Sequence, residues 1–142
     1  MRLPVLLAML ALPFCAGANP LEQPPRAPVL VHVVASGNDA VGLQLVAAVH
    51  ARLQAVADMS PVDGMADARV RLKIATLDPD SGAGRRTVYS IVITVRPRER
   101  DADVYWNNLV DVCEGANVQT CARGIVAEAG AAADSLPPGP AP

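Results

Sequence analysis

From Arg69 to Leu77 the side chains alternate, with Val70, Leu72 and Ile74 on one side and Arg69, Arg71 and Lys73 on the other. This period of two fits an extended strand with one face buried and the other in water. A Pro/Gly/Ser-rich stretch, Asp78 to Arg86, then turns the chain into Thr87 to Val95. That run is rich in β-branched residues and puts Tyr89, Ile91, Ile93 and Val95 on one face. Residues 69–95 therefore predict a β-hairpin, and hence a sheet whose apolar side needs a cover.

The flanking segments supply it. Val29 to Ala35 is a Val-rich apolar run interrupted by His32, and it ends in Ser36-Gly37-Asn38-Asp39, a turn followed by a helix N-cap. From Ala40 to Ala57, Val41, Leu45, Val49, Leu53 and Val56 recur at helical spacing, with Leu43 and Val46 widening the stripe. Asp58-Met59-Ser60-Pro61 stops this helix, and Asp63, Gly64 and Asp67 carry a loop to the hairpin. After the charged stretch Arg96 to Asp103, residues Val104 to Cys113 predict a further strand, though Asn107-Asn108 interrupt its pattern. Val104 and Trp106, with Val110 and Val112, are expected to face the core of that strand, since aromatic rings carry large buried area. Gln119 to Ala133 is Ala-rich, with Cys121, Ile125 and Ala129 in one i, i+4 row, and predicts the closing helix. The expected order is β-α-β-β-β-α. It implies an α/β (α+β) fold: one mixed four-stranded sheet with two helices packed mainly on one face.

Eight of the thirteen prolines fall at the two ends, in Asn19 to Pro28 and Leu136 to Pro142, where extended Pro-rich chain builds no core. Ahead of them, residues 1–18 read as a secretory signal peptide. Arg2 is its charged start, Leu3 to Phe14 an apolar run of 12 residues, and Ala16-Gly17-Ala18 a small-x-small cleavage site. The expected organisation is a signal peptide at 1–18, a Pro-rich linker at 19–28, one domain at 29–136 and a disordered tail at 137–142. The apolar run is shorter than the roughly 20 residues that span a bilayer, so no transmembrane segment is expected. Cys15 offers an alternative, lipid anchoring, although Phe14 stands where lipoprotein signals carry a small residue.

Twelve basic residues against 14 acidic ones argue against a nucleic-acid binder that depends on a strongly positive face. Beyond the signal, Cys113 and Cys121 form an even pair in a chain expected to be exported, which predicts a disulfide and a periplasmic location. Their seven-residue separation lacks the C-x-x-C spacing of redox-active thiols.

Catalytic chemistry finds little support. His32 and His50 are the only histidines; His32 sits mid-strand among valines and His50 on a helix flank, neither at a diagnostic spacing from an acid or nucleophile. No G-x-S-x-G elbow, H-E-x-x-H, Walker loop or Rossmann fingerprint is present. Asp78-Pro79-Asp80-Ser81-Gly82 opens like a calcium loop, but its sixth position is Ala83 and its twelfth Tyr89, so a hairpin turn is the better reading. Asp101 and Asp103 alternate with Arg98 and Arg100 as a solvated, self-neutralising run. No catalytic residue, metal ligand or cofactor is assigned.

What remains is the stripe Arg69, Arg71 and Lys73, with Arg85 and Arg86 near its hairpin neighbour. Like charges so placed repel, and an acidic protein segment or anionic envelope component docked there would relieve the cost. A strand, an amphipathic helix, the run Met65-Ala66-Asp67-Ala68-Arg69-Val70-Arg71-Leu72 leading into a second strand, then a hairpin and a late helix, resembles the N-terminal domain of TolB. It is similar also to small bacterial envelope lipoproteins of that plan. The resemblance spans Val29 to Val95 by order of elements. It implies a non-catalytic role in assembling or regulating an envelope complex and transfers no catalytic residue. The chain departs from that pattern in lacking a lipoprotein cleavage motif and in carrying Cys113 and Cys121. The expected function is a non-enzymatic periplasmic binding or envelope-assembly protein that contacts a protein partner; the alternative is a small exported hydrolase using His32 or His50.

Overall fold

The structure, a computed structural model, describes residues 27–137. The expected signal peptide with Cys15, most of the Pro-rich linker and the last five residues lie outside the described part. Five strands and two helices run in the order β1 (Val29–Ser36), α1 (Ala40–Ala55), β2 (Met59–Pro61), β3 (Val70–Leu77), β4 (Arg86–Val95), β5 (Val104–Glu114) and α2 (Val118–Asp134). One mixed sheet has the strand order β2-β1-β3-β4-β5. β1 is parallel to β2 and β3, while β3, β4 and β5 are antiparallel.

The expected four-stranded sheet is corrected to five. Met59–Pro61, read as a helix stop, pairs in parallel with Val29–Val31. The Val29 N–H donates to the Asp58 carbonyl at 2.8 Å, and the Val62 N–H to that of Val31 at 2.9 Å. Pro61 is tolerated because β2 is an edge strand, where a missing donor costs no ladder bond.

Each element follows from local chemistry. The Asp39 carboxylate accepts the Gly42 N–H at 2.7 Å and caps α1. Gly42 is required as glycine, because a Cβ there would overlap Thr76 Oγ1 and Asp39 Oδ2; α1 begins pressed against the end of β3. In the β3–β4 turn the Asp78 carboxylate accepts the N–H groups of Asp80, Gly82 and Gly84 at 2.8, 3.0 and 3.0 Å. Ser81, Gly82 and Gly84 take positive φ there, as a compact Asx-type turn demands.

Both helices lie on one face of the sheet and share a single core. Val41, Leu45, Val49 and Leu53 of α1 and Ile125, Val126 and Ala129 of α2 meet Val31, Leu72, Ile74, Ile91 and Ile93 from the strands. Each fully buried Leu or Ile contributes about 1.5–3 kcal/mol. Leu43, expected to widen the α1 stripe, is instead 58% exposed. Cys113 and Cys121 form a disulfide with Cα atoms 6.2 Å apart, tying the end of β5 to the first turns of α2.

Candidate functional site

Because the helices cover only one face, alternate residues of β1, β3, β4 and β5 form the other face with no element of the described chain over them. Cross-strand register aligns them in rows. One row runs Val34, Lys73, Val92, Asn108; the next runs Ser36, Ala75, Ser90, Val110; the third joins Leu77, Val88 and Val112. Val110 is 67% exposed, Val112 47% and Val34 42%. A hydroxyl-to-amide hydrogen bond, Tyr105 to Asn108 Oδ1 at 2.9 Å, closes the β5 side. Isolated exposed valines are ordinary, but here Leu77, Val88, Val112 and Val110 adjoin in the register, with Ser36, Lys73, Ser90 and Asn108 beside them, and an apolar cluster on an uncovered sheet face is a candidate contact surface.

The stripe Arg69, Arg71, Lys73 lies at this face, and its members are not equivalent. The Arg69 Nε donates to the Arg96 carbonyl at 2.9 Å. Burial, and then the nearby Arg98, push the Arg69 pKa below its ordinary value. Arg71 is ion-paired with Asp103 and also donates to the Met65 carbonyl at 2.6 Å. Arg96 bonds the same Asp103 carboxylate at 3.1 Å and the Ala66 carbonyl at 3.2 Å. Asp103, read from sequence as part of a self-neutralising loop, thus serves β3 and the end of β4, a pairing that sequence spacing could not reveal. Lys73 has no carboxylate partner among the described residues. Arg86, at the hairpin, is held by Asp80 at 2.8 Å.

Trp106 is corrected as well. The β4–β5 register shifts between Ile93 and Thr94, pairing Ile93 with Asn107 but Thr94 with Tyr105, so Trp106 is the extra residue of a β-bulge. Past the bulge the phase inverts: Leu109 and Cys113 turn to the core while Val110 and Val112 turn outward. Trp106 is 39% exposed at the bulge.

β5 is the long free edge of the sheet, and it is blunted. The Gly115 N–H donates to the Arg85 carbonyl at 2.8 Å. This sets the odd-numbered residues of β5 beyond the bulge as those bonded to β4 and turns the N–H groups of Asn108, Val110 and Val112 outward. Two of these three are taken by preceding side chains, Asn107 Oδ1 at 2.8 Å from Asn108 N and Asp111 Oδ1 at 2.7 Å from Val112 N. Side chains that occupy edge donors discourage strand addition.

The histidines lie on opposite sides of the sheet. His32 is on the uncovered face beside Arg71, its Nδ1 buried without a partner. His50 belongs to α1 on the covered face. Neither lines either of two open grooves on the described surface, one of about 470 Å³ between α1 and the start of α2, the other of about 340 Å³ near Asp39 and Asp78. Among the described residues no group of three or more His, Cys, Asp or Glu converges as metal ligands do. No described helix is long and apolar enough to cross a membrane. No protein-family model matches the chain, and no curated protein matches it in sequence.

Proposed function

We propose that this chain is a non-enzymatic binding module of a bacterial periplasm that contacts a protein partner through the uncovered face of its sheet. The observation that carries the reading is the uncovered face itself: Val34 and Val92 flank Lys73, which has no carboxylate partner among the described residues, and Leu77, Val110 and Val112 stand exposed in the neighbouring rows. The blunted β5 edge favours contact through the face over strand addition. The Cys113–Cys121 disulfide is compatible with an oxidising compartment, and the likeness of element order to the TolB N-terminal domain supports an envelope role in assembly or regulation.

Of the three stripe cations, Lys73 is assigned the direct contact with the partner. Arg69 and Arg71 hold the face in shape through the Arg96 carbonyl and Asp103. The test is crosslinking of the tagged full chain in its native host, comparing Val110→Asp on the face with Leu43→Asp on the exposed side of α1. Loss of one specific complex with Val110→Asp alone supports the assignment. Equal yields from both variants contradict it.

A further inference from the structure

We infer that the occupant of the uncovered face is an amphipathic α-helix of a protein partner, with a carboxylate on that helix pairing with Lys73. This rests on the reading of the face as the partner surface and adds what the partner must look like.

The argument for a helix concerns backbone hydrogen bonds. A segment laid over Val34, Val92 and Val110 meets side chains, hydrocarbon with Lys73, Ser90 and Asn108 set among it, and no backbone donor or acceptor, because those of the sheet lie within its plane. An extended segment would leave its own N–H and C=O groups unsatisfied against that surface, while a helix satisfies them internally. Strand addition at the β5 edge, one route for an extended segment, is hindered by Asn107 and Asp111. The covered face of the same sheet shows the matching solution, with α1 and α2 laying apolar stripes on Leu72, Ile74, Ile91 and Ile93. From β1 to β5 the face spans about 14 Å, which roughly ten helical residues cross.

The argument for a carboxylate concerns charge. Lys73 lies between Val34 and Val92 in its row and lacks an acidic partner among the described residues. An apolar occupant without an acid would strip water from the ammonium and return nothing. A second copy of this chain meeting it face to face fares no better. Its face would bring another Lys73, while Asp103 is already engaged by Arg71 and Arg96, and Glu114 faces Arg86. Like charges would then meet in a desolvated interface.

A photoreactive residue placed at Val110, or at Val34, in the full chain in its native host, with sequencing of the crosslinked peptide, tests this. The expected adduct is a heterologous segment with apolar residues at i, i+3 or i+4 and at least one Asp or Glu. Lys73→Glu is expected to weaken the complex about tenfold or more, and Lys replacing the partner carboxylate is expected to restore it. Lys73→Met, which keeps the stem and drops the charge, guards against a folding defect in the reversal. A heterologous segment lacking acid, or one indifferent to both Lys73 variants, overturns the acidic helix while the face remains a partner surface. An adduct on a second copy, or on residues 19–26 of the same chain, also overturns it. Absence of any adduct at Val34 and Val110 overturns the underlying reading of the face.

Discussion

Arg71 on β3 and Asp103 just ahead of β5 form an ion pair across 32 residues of chain, with side chains only 14% and 26% exposed. Asp103 also accepts from Arg96, so one carboxylate is shared by two guanidinium groups at one end of the uncovered face. Removing it takes the charged partner from both and leaves them the Met65 and Ala66 carbonyls. Asp103→Asn is expected to lower the unfolding free energy in urea by about 1–2 kcal/mol, in the range for hydrogen bonds to charged groups. Lys73→Ala, at an exposed position with no ion pair among the described residues, is expected to change it by less than about 0.5 kcal/mol. Equal costs at the two positions would contradict the division of roles among the three cations.

Two helical glycines should respond to alanine with opposite signs. At Gly42 the new Cβ collides with Thr76 Oγ1 and with the capping Asp39, so Gly42→Ala is expected to cost about 1–3 kcal/mol. At Gly124 nothing lies within 4 Å of a Cβ, and Gly124→Ala is expected to gain about 0.5–1 kcal/mol from helix propensity. Thermal midpoints of the two variants check both signs in one experiment.

The disulfide closes a short loop onto a buried sulfur, Cys113. Chain entropy alone makes it worth about 2.5 kcal/mol. The Cys113→Ala, Cys121→Ala double variant, or the native chain under reductant, is expected to unfold at correspondingly lower denaturant. An unchanged midpoint would remove the staple from the account.

Acid should weaken the fold through three aspartates. The N–H groups of Gly84, Asp80 and Gly82 hold Asp78 below the ordinary carboxylate range, and Arg86 does the same for Asp80. Burial would raise Asp39, but its hydrogen-bonding surroundings, Thr76 and the Gly42 amide foremost, outweigh that and leave it lowered. A carboxylate held below its unfolded value binds protons less readily when folded. Its contribution is therefore full above about pH 4 and is lost as pH falls through the lower folded values. Thermal midpoints should stay level from neutral pH to about pH 5 and fall below pH 4, with a shallower fall for Asp78→Asn. A decline that begins near pH 6 would contradict the assignment to these aspartates.

How much of this was legible in the sequence depended on the range of the interactions. The hairpin 69–95, the Asp39 cap and the Ile125 and Ala129 row are written in short-range periodicity and turn chemistry, and the structure reproduces them. β2 escaped because three residues ending in Pro61 have no periodicity of their own; pairing with β1, across the whole of α1, makes them a strand. The side of β5 escaped because one bulge inverts a period of two, turning Val110 and Val112 from core to surface. In the stripe, alternation placed Arg71 and Lys73 on one face, but only the fold shows that Asp103 reaches the first, while the second has no ion pair among the described residues.

Oxidative footprinting of the full chain in its native envelope, against the purified protein, tests the face most directly. Protection of Leu77, Tyr105 and Val110 in the envelope, with Leu43 on α1 and Met65 in the β2–β3 loop still labelled, is the expected pattern. Labelling of all five at the rates of the purified chain, or protection confined to Leu43, would contradict it.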